Sequence, residues 1–204
     1  GEGRLRSRAD EEQDSRDGRD LGTYRTSEQS AERPPMDAAS MIREELRHSH
    51  GWLRQTIDGI TPEQAHWIPP GNANPICATY AHVVVDEDVL VNHELRGNAP
   101  LFEAEWATSI SVSEPMVQGP GWADWARRVR IDLDSFERYV DAVHAETDRW
   151  AATLANGDLA HAVEFGGRPQ PVSHVLWRVI SHNHGHAGEI AVLKGLQGVR
   201  GFSL

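Results

Sequence analysis

The stretch "SHVLWRVISHNHGHAGEIAVLKGLQG", Ser173–Gly198, decides how the chain is read. It is longer than strands run and repeats apolar residues at three- and four-residue intervals, so it predicts a helix with Ser173 as N-cap and Gly198 as stop. At about 100° per residue, Val175, Val179, His182, His186, Ile190 and Leu193 fall within one arc, while His184 lies on the far side. His182 and His186 are therefore expected to face the core, and His184 to face water. Two imidazoles four positions apart on one helix face can reach a single ion, which is why this spacing recurs in helical metal sites. The spacing alone leaves two readings open. With eleven histidines in 204 residues such a pair also arises by chance, and the competing reading is a pair of hydrogen-bonded polar groups at the core edge.

Working outward, the same periodicity marks three more helices. Asp37 can cap "AASMIREELRHSHGWLRQTIDGI", in which Met41, Leu46, Leu53 and Ile57 form the apolar stripe and Gly59 is the stop. "TPEQAHWIPPGNANP" reads as a loop from its Pro, Gly and Asn content. It leads into a second helix, about Pro75 to Arg96, closed by Gly97. Residues 98–120 form a long crossover. "GWADWARRVRIDLDSFERYVDAVHAETDRWAATLAN" then reads as one third helix, with Trp122, Trp125, Val129, Leu133, Phe136 and Val140 along one side and Gly157 at its end. "LAHAVEFGGRPQPV" alternates apolar residues around Gly166 and Gly167, the pattern of a small hairpin before the fourth helix. The expected fold is all-α: a four-helix bundle with a long crossover between helices 2 and 3. Such a fold builds its sites from inward-facing side chains on neighbouring helices.

Composition narrows the chemistry. A formal charge of −11 argues against nucleic acid as a partner, because counterion displacement needs a basic face. Cys77 is the single cysteine, so neither an intramolecular disulfide nor a thiolate metal cluster is available. Any metal site must use His, Asp or Glu. No apolar run approaches the ~20 residues of a membrane span, and no signal-peptide core precedes the helices. The expectation is a cytoplasmic protein acting on a small molecule, with no membrane partner. Residues 1–35 are dominated by Arg, Asp, Glu, Ser and Gly and cannot bury enough apolar surface to offset their ordering entropy. They are expected to form a disordered tail, the alternative being a partner-binding arm, with a single domain over 36–204.

A third histidine strengthens the metal reading. On the second helix His82 shares an arc with Ala78, Val85, Asp86, Val89 and His93, whereas Glu87, Asp88 and Glu94 fall elsewhere. His82 thus projects from an apolar stripe. Three inward imidazoles, each with two ring nitrogens to satisfy, call for a bound group, and a divalent cation on His82, His182 and His186 would satisfy them while leaving coordination positions open. Asp86, one turn on, is a candidate fourth ligand or a carboxylate that holds an imidazole tautomer. His93 is about 16 Å from His82 along the axis and cannot share the ion. His48 and His50 are candidates for the pocket mouth as proton carriers, the alternative being surface histidines. Cys77 reads as a small helix residue rather than a nucleophile. Trp106 and Trp122 flank the crossover and are placed to close over a ligand.

The segments "NPICATYAHVVVDEDVL" and "HVLWRVISHNHGHAGEIAVLKGLQG", with the "TPEQAHWIPPG" loop and the crossover, resemble the DinB/YfiT-like superfamily of metal-dependent enzymes over nearly all of Met36–Gly198. Carried over, the resemblance implies His82, His182 and His186 as metal ligands and a homodimer as a common assembly. The chain departs from the pattern at Glu189, where the family often has Gln. The resemblance also implies low-molecular-weight thiol chemistry: an S-transferase using a cofactor of the mycothiol or bacillithiol type, or a maleylpyruvate isomerase-like reaction. A metal-dependent hydrolase and a non-enzymatic metal-binding stress protein are the rival classes. A three-histidine site suits Zn, Ni, Fe or Mn.

Overall fold

In the computed structural model the described residues are 36–104, 106–117 and 119–202. The tail expected over residues 1–35 lies outside them. They fold as one compact unit that is mostly helical with a small two-stranded sheet.

Helix α1, Ala38–Ile57, starts where Asp37 Oδ1 accepts from the Ser40 N–H at 2.8 Å. It ends where Gly59 takes φ +68°, a left-handed value that costs glycine least. Leu46, Leu53 and Ile57 are buried, but Met41 is 52% exposed and does not belong to their stripe. Five positions before Leu46, it sits about 140° away around the helix. The following loop contains a one-turn helix, α2, Pro62–Ala65, which the loop reading missed; Thr61 and Gln64 close a capping box around it.

Helix α3, Ile76–Asp88, continues as a π-helix over Val89–Leu95 and stops at Gly97. It packs against the two long helices that follow it, α5 (Leu133–Ala151) and α6 (Val172–Leu196), and residues on every side of it are buried. Asp88, at the junction of the two helical forms, is wholly buried. Its carboxylate accepts from Asn92 Nδ2, from the backbone N–H groups of Leu101 and Phe102, and from Tyr139 Oη, all at 2.7–3.0 Å. Those bonds tie the start of the crossover to the core.

The third helix is not continuous, contrary to the sequence expectation. Helix α4, Trp122–Ala126, and α5, Leu133–Ala151, are separated by residues 127–132. There Ile131 pairs with Val112 of the crossover, its N–H donates to His66 Nε2 at 3.0 Å, and Asp132 caps α5. Those tertiary partners outweigh the helical periodicity. The hairpin forms as expected, β1 Ala162–Phe165 against β2 Arg168–Pro171, antiparallel, with Gly166 and Gly167 both at positive φ. Helix α6, Val172–Leu196, begins one residue before its expected cap: Pro171 occupies the N-cap, and Ser173 lies inside the first turn. α6 runs along α1 and α3.

Candidate metal centre

Along α3 and the start of its π-helical continuation the residues with some exposure are His82, Asp86 and Val89, and His93 is exposed beyond them. They belong to the arc deduced from the sequence, whose apolar members Ala78 and Val85 are buried, but the line of His82, Asp86 and Val89 does not face the core as expected. Because α3 is buried on its other faces, that line is its opening to a pocket and not its core stripe. Glu87 and Asp88, which fall outside the arc, are the buried residues, at 1% and 0% exposure.

His182 and His186 on α6 come to the same place. The three rings stand close to mutually perpendicular: His82 to His182 with centroids 4.9 Å apart at 86°, His82 to His186 at 5.3 Å and 90°, His182 to His186 at 4.5 Å and 85°. One ring nitrogen of each lies within 4.8 Å of those of the other two. His182 Nε2 and His186 Nε2 are 3.0 Å apart, near the ~3.4 Å expected between two nitrogens of a tetrahedral ion with bonds of about 2.1 Å.

The other ring nitrogens face carboxylates. His186 Nδ1 donates to Glu189 Oε2 at 2.7 Å. His182 Nδ1 lies 3.2 Å from Asp86 Oδ2, off the line of a good hydrogen bond. The Glu189 carboxylate holds the proton on His186 Nδ1, as carboxylates do for metal-ligating histidines, and leaves the His186 Nε2 lone pair aimed at His182 Nε2. A neutral His182 with its proton on Nε2 donates across that gap, and a cation bound to both nitrogens would take the place of that proton. Burial first, then His186 and His82, push the His182 pKa down to about 3, which keeps the ring neutral, the form that ligates a metal. Burial also lowers His82, partly opposed by Asp86. The donor set therefore fits a divalent cation.

The pocket beside this cluster is about 300 Å³ and is lined by His82, Val85, Asp86, Met116, Val117, Gly119 and Trp122. The Trp122 ring stands 5.0 Å from that of His82 and forms a wall of the pocket. Trp106 packs on Tyr139 instead, at 6.0 Å, and does not line it.

A family model for the DinB superfamily matches residues 45–190, which include all three histidines. The chain belongs to the DinB superfamily. This DinB-superfamily chain is also similar to a solved structure, the crystal structure of the conserved protein of locus from Enterococcus faecalis, with a TM-score of 0.69 over 79% of this chain and 97% of that one. At 17% identity, that likeness speaks to the fold alone. No curated protein matches the chain.

Within the DinB fold, the remaining sequence candidates sort by position. Asp86 and Glu189 both contact ligand-candidate histidines, and Glu189, though partly exposed, turns its carboxylate to His186 Nδ1. His50 is not at the pocket mouth and touches none of the three histidines. It is buried, with Nε2 2.9 Å from Glu87 Oε1, because α1 turns that face toward α3 and α5. His48 accepts from Trp52 Nε1 at 2.8 Å on the outer face of α1. His184 is half-buried rather than in open water, 6.1 Å from the His48 ring and 6.4 Å from that of Trp52. Cys77 is 1% exposed and burial pushes its thiol up to about 12, which removes it as a nucleophile. Residues that periodicity missed are Glu87 and Asn183. The signal for the first was present: three carboxylates, Asp86–Asp88, sit between two valine runs in a helix with no polar face to hold them.

Proposed function

We propose that His82, His182 and His186 bind one divalent cation and that this DinB-superfamily protein is a metal-dependent enzyme transferring a low-molecular-weight thiol, of the mycothiol or bacillithiol type, to an electrophilic small molecule. The observation that carries it is the pair of Nε2 atoms facing each other at 3.0 Å beside the pocket, with a carboxylate on each opposite nitrogen. The thiol itself is supported by the superfamily resemblance. The four long helices α1, α3, α5 and α6 are read as a four-helix bundle in residues 36–204, working as a cytoplasmic homodimer.

A divalent ion held there supplies Lewis acidity, lowering the pKa of a thiol or water placed on it. The protein does the rest. His182 and His186 present lone pairs from one helix, and His82 presents the third from α3. Glu189 keeps the tautomer and orientation of His186 fixed, and Asp86 places its charge 3.2 Å from His182 Nδ1. Val85, Val117 and Trp122 give the pocket an apolar wall that displaces water from the electrophile, and three protein donors leave positions for the reactants.

The test is elemental mass spectrometry on untagged wild-type and His182→Ala protein, followed by conjugation of mycothiol to an electrophilic haloarene. Metal near one equivalent or above, lower in the variant, with thiol-dependent turnover lost in His82→Ala, is the expected outcome. Turnover that needs no added thiol would instead identify a hydrolase or isomerase, and wild-type rates in His82→Ala would overturn the mechanism.

A further inference from the structure

On the other side of α3 from the pocket lies a second group of donors, drawn from three helices. Glu87 of α3 is fully buried, and its carboxylate accepts from His50 Nε2 of α1 at 2.9 and 3.0 Å, from Thr147 Oγ1 of α5 at 2.8 Å, and from Asn183 Nδ2 of α6 at 3.1 Å. None of these donors carries a fixed positive charge. His144 of α5 stacks on His50 with ring centroids 3.7 Å apart and 6° between planes, and its Nε2 is buried with no hydrogen-bond partner. One donor atom each from His50, Glu87 and His144 lies within 4.8 Å of the other two.

A buried carboxylate without a compensating cation is costly, and so is a buried ring nitrogen without a partner. The hydrogen bond from His50 partners the carboxylate and leaves His144 Nε2 without one. Two imidazoles and a carboxylate are a donor set that Zn²⁺ and non-haem Fe²⁺ sites use, and a cation bound to all three groups would answer both.

We propose that His50, Glu87 and His144 form a second divalent-cation site, enclosed between α1, α3 and α5 and separate from the three-histidine cluster. Parallel rings cannot both direct a lone pair at one ion, so occupation turns one of them. His144, whose Nε2 holds no hydrogen bond, is the ring that turns without breaking one at that atom. Asn183, the neighbour of His182, bonds Glu87 directly, so an ion here stiffens the same stretch of α6 that carries the first cluster. Its enclosure makes it a structural site rather than one where substrate binds.

The experiment is Zn²⁺ stoichiometry on the full chain, stripped of metal, reloaded, dialysed and measured by elemental mass spectrometry, with helix content followed by circular dichroism. Wild type is expected to hold two equivalents. The His182→Ala/His186→Ala protein should keep one, the His144→Leu protein should keep one, and combining all three substitutions should leave none. A folded His182→Ala/His186→Ala protein with no zinc, or a wild type holding one equivalent that His144→Leu leaves untouched, overturns the second site. If the double-alanine protein fails to fold, the His144→Leu comparison decides: a loss of one equivalent supports the site and no loss refutes it. Because each cluster is removed separately, failure of the three-histidine site registers as an unchanged count in the double-alanine protein and is told apart from failure of this one.

Discussion

Replacing Glu189 by alanine removes the acceptor that holds His186 in its Nδ1–H tautomer across 2.7 Å. Outer-shell partners of metal-ligating histidines are worth about 10- to 100-fold in metal affinity, or roughly 1.4–2.7 kcal/mol. The Glu189 side chain is 38% exposed, so water screens its charge and replaces part of its bond, which places the effect at the low end. Zn²⁺ binding at the three-histidine cluster should therefore weaken about tenfold in Glu189→Ala, the order of magnitude set by the outer-shell range. Glu189→Gln keeps a neutral oxygen that can accept the same N–H and should fall between the two. Competition against a chromophoric chelator at neutral pH, run in a His144→Leu background so that one site is read, supplies the numbers. Glu189→Ala indistinguishable from its parent, while His182→Ala abolishes binding in the same assay, would refute the role given to this carboxylate.

Three further outcomes concern stability. Tyr139→Phe leaves one of the four donors to the buried Asp88 carboxylate missing and should cost about 1–3 kcal/mol in urea unfolding; a change under about 0.5 kcal/mol would show that water replaces the hydroxyl. Leu46→Ala, at a site 1% exposed and packed in the cluster with Val175, Leu176 and Val179, should cost about 3 kcal/mol, read by the same method. The metal-free protein should lose stability as pH falls from neutral. His144 takes up its proton near 6.5 when unfolded but only near 3 when folded, because burial and then His50 oppose the charge. Glu87 is held below the usual carboxylate range: burial raises it, but His50, His144 and Asn183 outweigh burial. In both cases the unfolded chain binds more protons in the window, below about 6.5 for His144 and below 4.5 for Glu87, so stability drains away there. A urea midpoint that holds steady from pH 7 to pH 4 would contradict this, and His144→Leu should flatten the upper part of the curve.

Helix positions were legible where a helix has one wet side. On α1 the phase of Leu46, Leu53 and Ile57 is plain, and the caps at Asp37 and Gly59 are local chemistry that needs no partner. The same logic fails on α3. When a helix is buried on nearly every face, its polar arc is no longer the outside, and the line His82–Asp86–Val89 becomes an opening onto a pocket. The break before α5 was hidden for a related reason, since its cause is a hydrogen bond from Ile131 to His66, 65 positions away.

Spacing along single helices was enough to bring forward His82, His182 and His186 and to put Asp86 beside them, because a helix turns by a fixed angle per residue and the family motif supplied the pairing. What required the folded chain was the relation between helices. Only packing sets His182 against Asp86, aims two ring nitrogens at each other across 3.0 Å, and moves His50 away from the pocket to Glu87. A one-dimensional pattern specifies which residues share a face. It carries no information about what that face meets, and charge burial, tautomer and donor convergence are all properties of the meeting.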